Sequence, residues 1–435
     1  MRKILIIAAA LLCTSLITGC AMLNNRRQEP AQYIPPAMAD EQNIPAKTVI
    51  TYARGMDETE AALKIIEEFN RQSDSVTVKY QELPYDEGER YNQIKRWLSS
   101  GDSSIDIFDV NMTWCAEFAQ NGYARTLDSY ARENNINLEN YNHAVVNGCR
   151  YDGALWAMPR IIYTGLFFYR RDIVDTPPAH WDDFISSAKW YNGENDTKYG
   201  YVFSGKVTQN LVNEAMEFIY SYGGKIIDDD GNIAVNSPES INGLNKFYEI
   251  YNGGFVPDTE YKMTEIDACI SFLNGESVYM RNVPSAWSVL NTREDSKVVG
   301  KFAIAPLPAG SAGSFSVLSG YVSVINAKSA NPDAAWEFIE YISGYEGQKM
   351  LSVISGRIPA MTAVLADAEV IEANPHFDSD IFRETLDTAV PNIITPHHKV
   401  ITGVMQDELY LFLTGKKDAS AALTSMEAKI RALLA

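Results

Sequence analysis

From residue 49 onward the spacing of apolar positions switches between two periods, and the order of the switches predicts the elements. Val49, Ile50 and Tyr52 form a β-rich run, after which Ala62, Ile65, Ile66 and Phe69 recur at i, i+3, i+4 and i+7, one apolar face of a helix. Val76, Val78 and Tyr80 then alternate with polar residues, as a strand does. A helical stretch around Ile94 to Leu98 leads into Ile105-Asp106-Ile107-Phe108, a third strand. Strand, helix, strand, helix, strand predicts an α/β unit with a largely parallel sheet.

The second part repeats the style without repeating the sequence. Leu166-Phe167-Phe168-Tyr169 reads as a buried strand, and Pro177-Pro178 precedes an amphipathic helix from Trp181 to Trp190. A helix from Asn213 to Tyr222 is stopped by Gly223-Gly224, and Pro238-Glu239 opens another with Ile241, Leu244, Phe247 and Tyr248 on one face. Asp228-Asp229-Asp230-Gly231-Asn232 has neither the alternating ligands nor the distal glutamate of an EF-hand, so it reads as a hairpin turn. Phe302 to Pro308 and Gly320 to Ile325 read as strands. Asn331-Pro332-Asp333 caps a helix, and the chain from Ser379 is mostly helical.

Before residue 49 the pattern is different. Arg2 and Lys3 precede an apolar run, Ile4 to Leu12, too short to span a bilayer, and Leu16-Ile17-Thr18-Gly19-Cys20 follows. This resembles the lipobox of bacterial lipoproteins, which implies cleavage before Cys20, lipidation of its thiol and an export route out of the cytoplasm. Acyl chains at about 0.8 kcal/mol per buried methylene would hold the protein to a membrane without a transmembrane segment. Ala21 to Lys47 carries Pro30, Pro35, Pro36 and Pro45 among polar residues and reads as an extended tether.

The composition of the 435-residue chain narrows function mainly by exclusion. The length suits two or more domains, and a net charge of −19 argues against a nucleic-acid partner, since a phosphate backbone needs a basic face. Cys115, Cys149 and Cys269 remain after Cys13 and Cys20, either with one bridge such as Cys115–Cys149 or as separate buried thiols. No Cys-x-x-Cys, Gly-x-Ser-x-Gly or His-Glu-x-x-His occurs, and adjacent His397 and His398 do not make a zinc pair unaided, so no metal, cofactor or catalytic residue is assigned. A pair of distant carboxylates for glycoside cleavage leaves a secreted lipoprotein hydrolase as the alternative.

Several stretches together resemble the extracellular solute-binding lipoproteins of sugar ABC importers. They are Gly153-Ala154-Leu155-Trp156-Ala157-Met158-Pro159, Pro177-Pro178-x-x-Trp181-Asp182, Phe272-Leu273-Asn274-Gly275 and Ala305-Pro306-Leu307-Pro308, followed by Asn331 to Phe338 and Glu346-Gly347-Gln348-Lys349. Asp109-Val110-x-x-x-Trp114, Ser221-Tyr222-Gly223-Gly224 and Ala389-Val390-Pro391 are most similar to the trehalose/maltose-binding members. The resemblance implies a bilobal periplasmic-binding-protein-like α/β fold with a carbohydrate held between the lobes. It divides the chain into a signal peptide (1–19), a lipidated linker (20–45), a first lobe (46–159 and 319–368) and a second lobe (160–318 and 369–435). The crossings fall near Pro159 and Ser319 and after about Leu365. It also implies a monomer that delivers its ligand to an ABC permease with a cytoplasmic ATPase, with sensing without transport as the other outcome.

A sugar presents hydroxyl edges and apolar C–H faces, so its site needs planar hydrogen-bonding groups and flat aromatic platforms. Ligands of open α/β sheets sit beyond the carboxyl ends of strands, which selects Glu58 after the first strand, Arg90 after the second, and Asn111 with Trp114 after the third. Trp287 and Tyr321 are the candidate platforms, with Tyr163, Gly320 and Arg357 beside them. Trp114 is read equally as core, Glu58 equally as a helix-dipole partner, and Arg357 equally as a solvated loop charge. Glu58, Arg90 and Asn111 align with Glu, Arg and Asp of the trehalose/maltose group, so Asn111 is a departure. Their Pro-x-Tyr-x-Asp corresponds to Pro159-Arg160-Ile161-Ile162-Tyr163, and their Asn-Trp-Pro-Tyr-Ala-Trp to Asn282-Val283-Pro284-Ser285-Ala286-Trp287. The resemblance therefore implies the architecture without the disaccharide.

Overall fold

Strand β1 (Thr48–Gly55) runs parallel to β2 (Val76–Leu83), with α1 (Ala61–Gln72) between them. After α2 (Glu87–Ser99), β3 (Ile107–Asn111) pairs with the other side of β1. The stripe expected on α1 is the one it buries: Ala61, Ala62, Ile65, Ile66 and Phe69. This architecture comes from a computed structural model that describes residues 46–56, 59–228 and 230–434. The signal, Cys20, the tether as far as Pro45, and Glu58 lie outside the described residues.

β4 (Met158–Tyr163) ends the first pass through this sheet, and β5 (Leu166–Arg170) begins a second sheet. The chain thus changes sheets at Thr164-Gly165, while Pro159 sits inside β4, opposite Val322. Next come α3 (Trp181–Tyr191), β6 (Tyr199–Val202), α4 (Gln209–Ser221), α5 (Pro238–Tyr251) and α6 (Glu265–Leu273). β7 (Ser277–Asn282), α7 (Ala286–Thr292) and β8 (Phe302–Ala305) complete that pass. The chain returns through β9 (Val317–Ile325), α8 (Pro332–Ser343), α9 (Tyr345–Ser355) and β10 (Ile358–Pro359). It leaves again past β11 (Val390–Pro391) into α10 (His398–Leu413) and α11 (Ala419–Leu434).

The first sheet has the order β10-β4-β9-β3-β1-β2, with β11 also pairing β9, and the second has the order β8-β5-β7-β6. In the first sheet the largely parallel arrangement expected holds for β1, β2 and β3 and for β11 beside β9, whereas β9 is antiparallel to both β3 and β4. The reason is topological: β9 enters from the other lobe, with no helix crossover to reverse it. Both later crossings meet here, since Val317 and Leu318 pair with Val390 and Pro391, placing the last passage near residue 390, beyond Leu365.

The second sheet sends alternate side chains to different cores, as a period of two requires. Phe167, Tyr201 and Tyr279 pack with Leu211, Phe247, Met405 and Leu409, whereas Phe168, Met280 and Phe302 join the core of the first sheet. Cys115, Cys149 and Cys269 are buried and unbridged, and burial pushes the Cys115 thiol up to about 12 and the Cys269 thiol to about 11. The hairpin turn forms as expected: Ile227 and Ile233 bridge, and the Asp228 carboxylate accepts from the amides of Asp230 and Asn232.

Candidate functional site

The register of β9 assembles the site. It sets Tyr321 opposite Asn111 on one side and Ile161 on the other, and Ser319 opposite Tyr163, so three strand ends converge where the chain changes sheets. Tyr163 and Tyr321 meet edge to face with ring centroids 5.5 Å apart. Arg90, on the first turns of α2, donates to the Tyr321 hydroxyl and holds the carbonyls of Pro84 and Tyr85 at 3.0 and 2.9 Å. Asp86 caps that helix by accepting from the Glu89 amide at 2.9 Å, which fixes the turn carrying Arg90.

Asn111 donates to Glu87 at 2.8 Å, while its oxygen accepts from Thr113 and from the Ser319 hydroxyl. Burial holds the Tyr321 hydroxyl protonated, well above its ordinary range, against the opposing pull of Arg90; Glu87 and Arg357 also act on it. Arg90, Asn111, Tyr163, Tyr321 and Arg357 are thereby gathered around one point at the carboxyl edge of the first sheet. Glu265 faces them from the second sheet at the start of α6. Burial raises its carboxyl group, Arg281 opposes that shift, and Glu87 adds to it across the lobes.

Three expected residues do something else. Trp114 is core, with 1 % of its surface exposed and its ring packed on Tyr91 and Phe118, because the 3-10 turn after β3 directs it inward. Gly320 serves pairing: a Cβ there would stand 2.4 Å from the Ile161 carbonyl, so the glycine lets β9 and β4 approach. Trp287 is half-buried, with its ring stacked 4.6 Å from His376 and edge-on to Phe302. Burial lowers His376 to about 3, so it stacks as a neutral ring. Ile161 is wholly buried and offers the site no polar group.

Glu87, Asn210 and Glu265 were missed. Glu87 lies three residues before Arg90 at the start of α2, so the rule that selected Arg90 also covers it. Glu265 and Asn210, which bond to each other, begin helices whose cleft-facing ends depend on the direction of the second sheet. Two surface depressions of about 390 and 360 Å³ around Lys198, Tyr199, Asp258 and Lys262 hold none of these side chains. The converging strand ends, where the main chain itself crosses, are the stronger indication of a site. Among the described residues there is no group of His, Cys, Asp and Glu able to hold a metal ion, and no helix long and apolar enough to cross a membrane.

Comparison with known proteins places this geometry. A probable ABC transporter-binding protein of Deinococcus radiodurans is 28 % identical over 81 % of this chain and 86 % of its own length. The maltotriose-binding protein of Pyrococcus abyssi is 24 % identical over 74 % of this chain and 68 % of its own. Among solved structures, maltose-bound MalE3 of T. maritima superposes with a TM-score of 0.82 at 27 % identity, covering 89 % of this chain and all (100 %) of that one. The fold is the bilobal α/β architecture of those proteins. Residues 55–349 match the model of the bacterial extracellular solute-binding proteins, and the chain belongs to that family.

Proposed function

We propose that the protein captures a neutral carbohydrate, an oligosaccharide, between its lobes and hands it to the permease of an ABC importer without transforming it. The observation that carries this is the cluster of Arg90, Asn111, Tyr163 and Tyr321 at the carboxyl ends of the first sheet, facing Glu265 of the second. Its planar donors suit vicinal hydroxyls, and its tyrosine pair suits the C–H face of a pyranose. Relatives whose names specify maltose or maltotriose support the ligand class. By the resemblance to the trehalose/maltose-binding members, Asn111, Ile161, Tyr163 and Ser285 stand in place of groups that hold a disaccharide there, and each lost hydrogen bond costs about 0.5–1.5 kcal/mol. The ligand is accordingly not trehalose or maltose bound in the related pose.

Lobes that share a ligand close around it, with the passages at Thr164-Gly165, Val317 and Val390 as the hinge. Lipidation at Cys20 would keep the carrier beside its permease at high effective concentration. A thermal-shift and calorimetric screen of oligosaccharides tests the reading. Binding of one sugar without release of products is expected, together with a smaller radius of gyration in solution scattering. Hydrolysis, or no stabilisation by any sugar, overturns it.

A further inference from the structure

The two lobes also touch beside the converging strand ends, at the turn that follows β3. Helix α10 belongs to the second core through Ile401, Met405 and Leu409, and its first turn lies against the turn that follows β3. From there Lys399 places its ammonium 4.8 Å from the ring centre of Tyr91 and 5.8 Å from that of Trp114, both in the first lobe. Those rings stand edge to face, 5.1 Å apart, and offer the cation one continuous aromatic surface.

Two features mark this contact as more than incidental. A cation in the first turn opposes the helix dipole, so α10 alone would favour an acid at position 399. The Tyr91 hydroxyl, moreover, donates to both oxygens of the Glu117 carboxylate at 2.7 Å and accepts from Lys95 at 3.1 Å, which fixes the ring that the cation meets. Lys95, which also lies over this ring at 5.3 Å, is paired with Glu117 at 2.8 Å.

We infer that Lys399 is a positioning residue: an ammonium of the second lobe that docks on the Tyr91–Trp114 surface of the first and favours the closed arrangement. It sets solute affinity without touching solute. The inference rests on the two-lobe binding reading above. A contact made only when the lobes are closed multiplies the closed-to-open ratio, and the apparent affinity changes by the same factor while the closed form is the minor one. For a partly desolvated cation–aromatic contact that factor is roughly five- to thirtyfold.

The test uses the full chain, stripped of retained solute and carrying spin labels at Lys64→Cys and Asp183→Cys, one on an exposed helix position of each lobe. Lys399→Met is expected to lower the short-distance population at least fivefold, Lys399→Arg to preserve it, and Tyr91→Leu to reproduce the methionine result. The double variant should add nothing further, as two halves of one contact require. An unchanged population in Lys399→Met, or a solute-free wild type with no short-distance population, overturns the inference. Maltotriose and a panel of oligosaccharides are then added. If none alters any distance in the wild type, the carbohydrate reading fails, while the solute-free result still decides the role of Lys399.

Discussion

Arg160 in the first sheet and Arg281 in the second are both buried, yet their surroundings are opposites. Arg160 pairs with Asp109 and donates to the Tyr52 hydroxyl; the same carboxylate lies 3.8 Å from Arg54 and accepts from Ser323 at 2.6 Å. One acid there serves two bases, and all its partners lie on β1, β3, β4 and β9, so the network stiffens one body. Arg281 is held by Glu217 at 2.7 Å, with Glu265 at 3.6 Å and Glu214 at 3.8 Å. One base serves three acids, and burial accordingly pushes Glu214 far above the ordinary carboxylate range. The second network also reaches both of the first two crossings: Glu217 accepts from the Val317 amide at 3.3 Å, and a Cβ at Gly165 would stand 2.5 Å from its carboxylate. The difference teaches that charge balance follows task. The first cluster fixes a sheet, whereas the second sits where the lobes turn.

The strongest test of that contrast is to remove each arginine. Arg281→Met leaves Glu214, Glu217 and Glu265 without the base they share and is expected to cost about 3–5 kcal/mol in urea unfolding. Arg160→Met leaves Asp109 with Arg54 and Ser323 and should cost less, about 1–3 kcal/mol. Equal losses would mean that the imbalance has no energetic weight. Gly165→Ala presses a methyl group on Glu217 and Arg281 and is expected to destabilise by about 1–3 kcal/mol. Unlike Arg160→Met, it should also alter the closed-to-open ratio of the lobes, read from the same spin-label distances; a ratio left untouched would take the second network out of the hinge.

A gentler probe is pH. The folded protein raises Glu214 above its ordinary 4.5, so the folded state keeps a proton that the unfolded chain gives up. Its contribution to stability is full below that unfolded value and is lost as pH rises towards the folded one. Glu214→Gln should therefore stay within about 1 kcal/mol of wild type near pH 4.5 and gain on it as pH rises to 7. Parallel melting curves for the two proteins across that range would remove the proton from the account. The smallest effect belongs to the first cluster: Ser323→Ala deletes one bond to Asp109, for a loss of about 1 kcal/mol at any pH in that range.

The candidate site was legible where it follows a strand end and illegible where it needs a neighbour. Arg90, at the start of the helix after β2, and Asn111, at the end of β3, are candidates that the strand-end rule selects, and Tyr321 lies inside the recognisable run Gly320 to Ile325. Trp114 satisfied the same rule and turned inward, since a strand-end position specifies a place and leaves the side chain's direction to the local turn. Glu265 and Asn210 carried no signal, because which end of the second sheet faces the first depends on how β5 leaves the first crossing.

By itself the chain determined the alternation of strands and helices, the turn at Asp228–Asn232 and the candidate residues beyond the first strands. Those depend on side chains within a few positions of one another, whose burial period the local pattern records. The tertiary structure alone decided that β9 runs antiparallel between β3 and β4, that Gly320 exists for Ile161, and that Lys399 lies on Tyr91 across more than three hundred residues. Such pairings are set by sheet register and by where the chain crosses between lobes. No short window of sequence contains both partners.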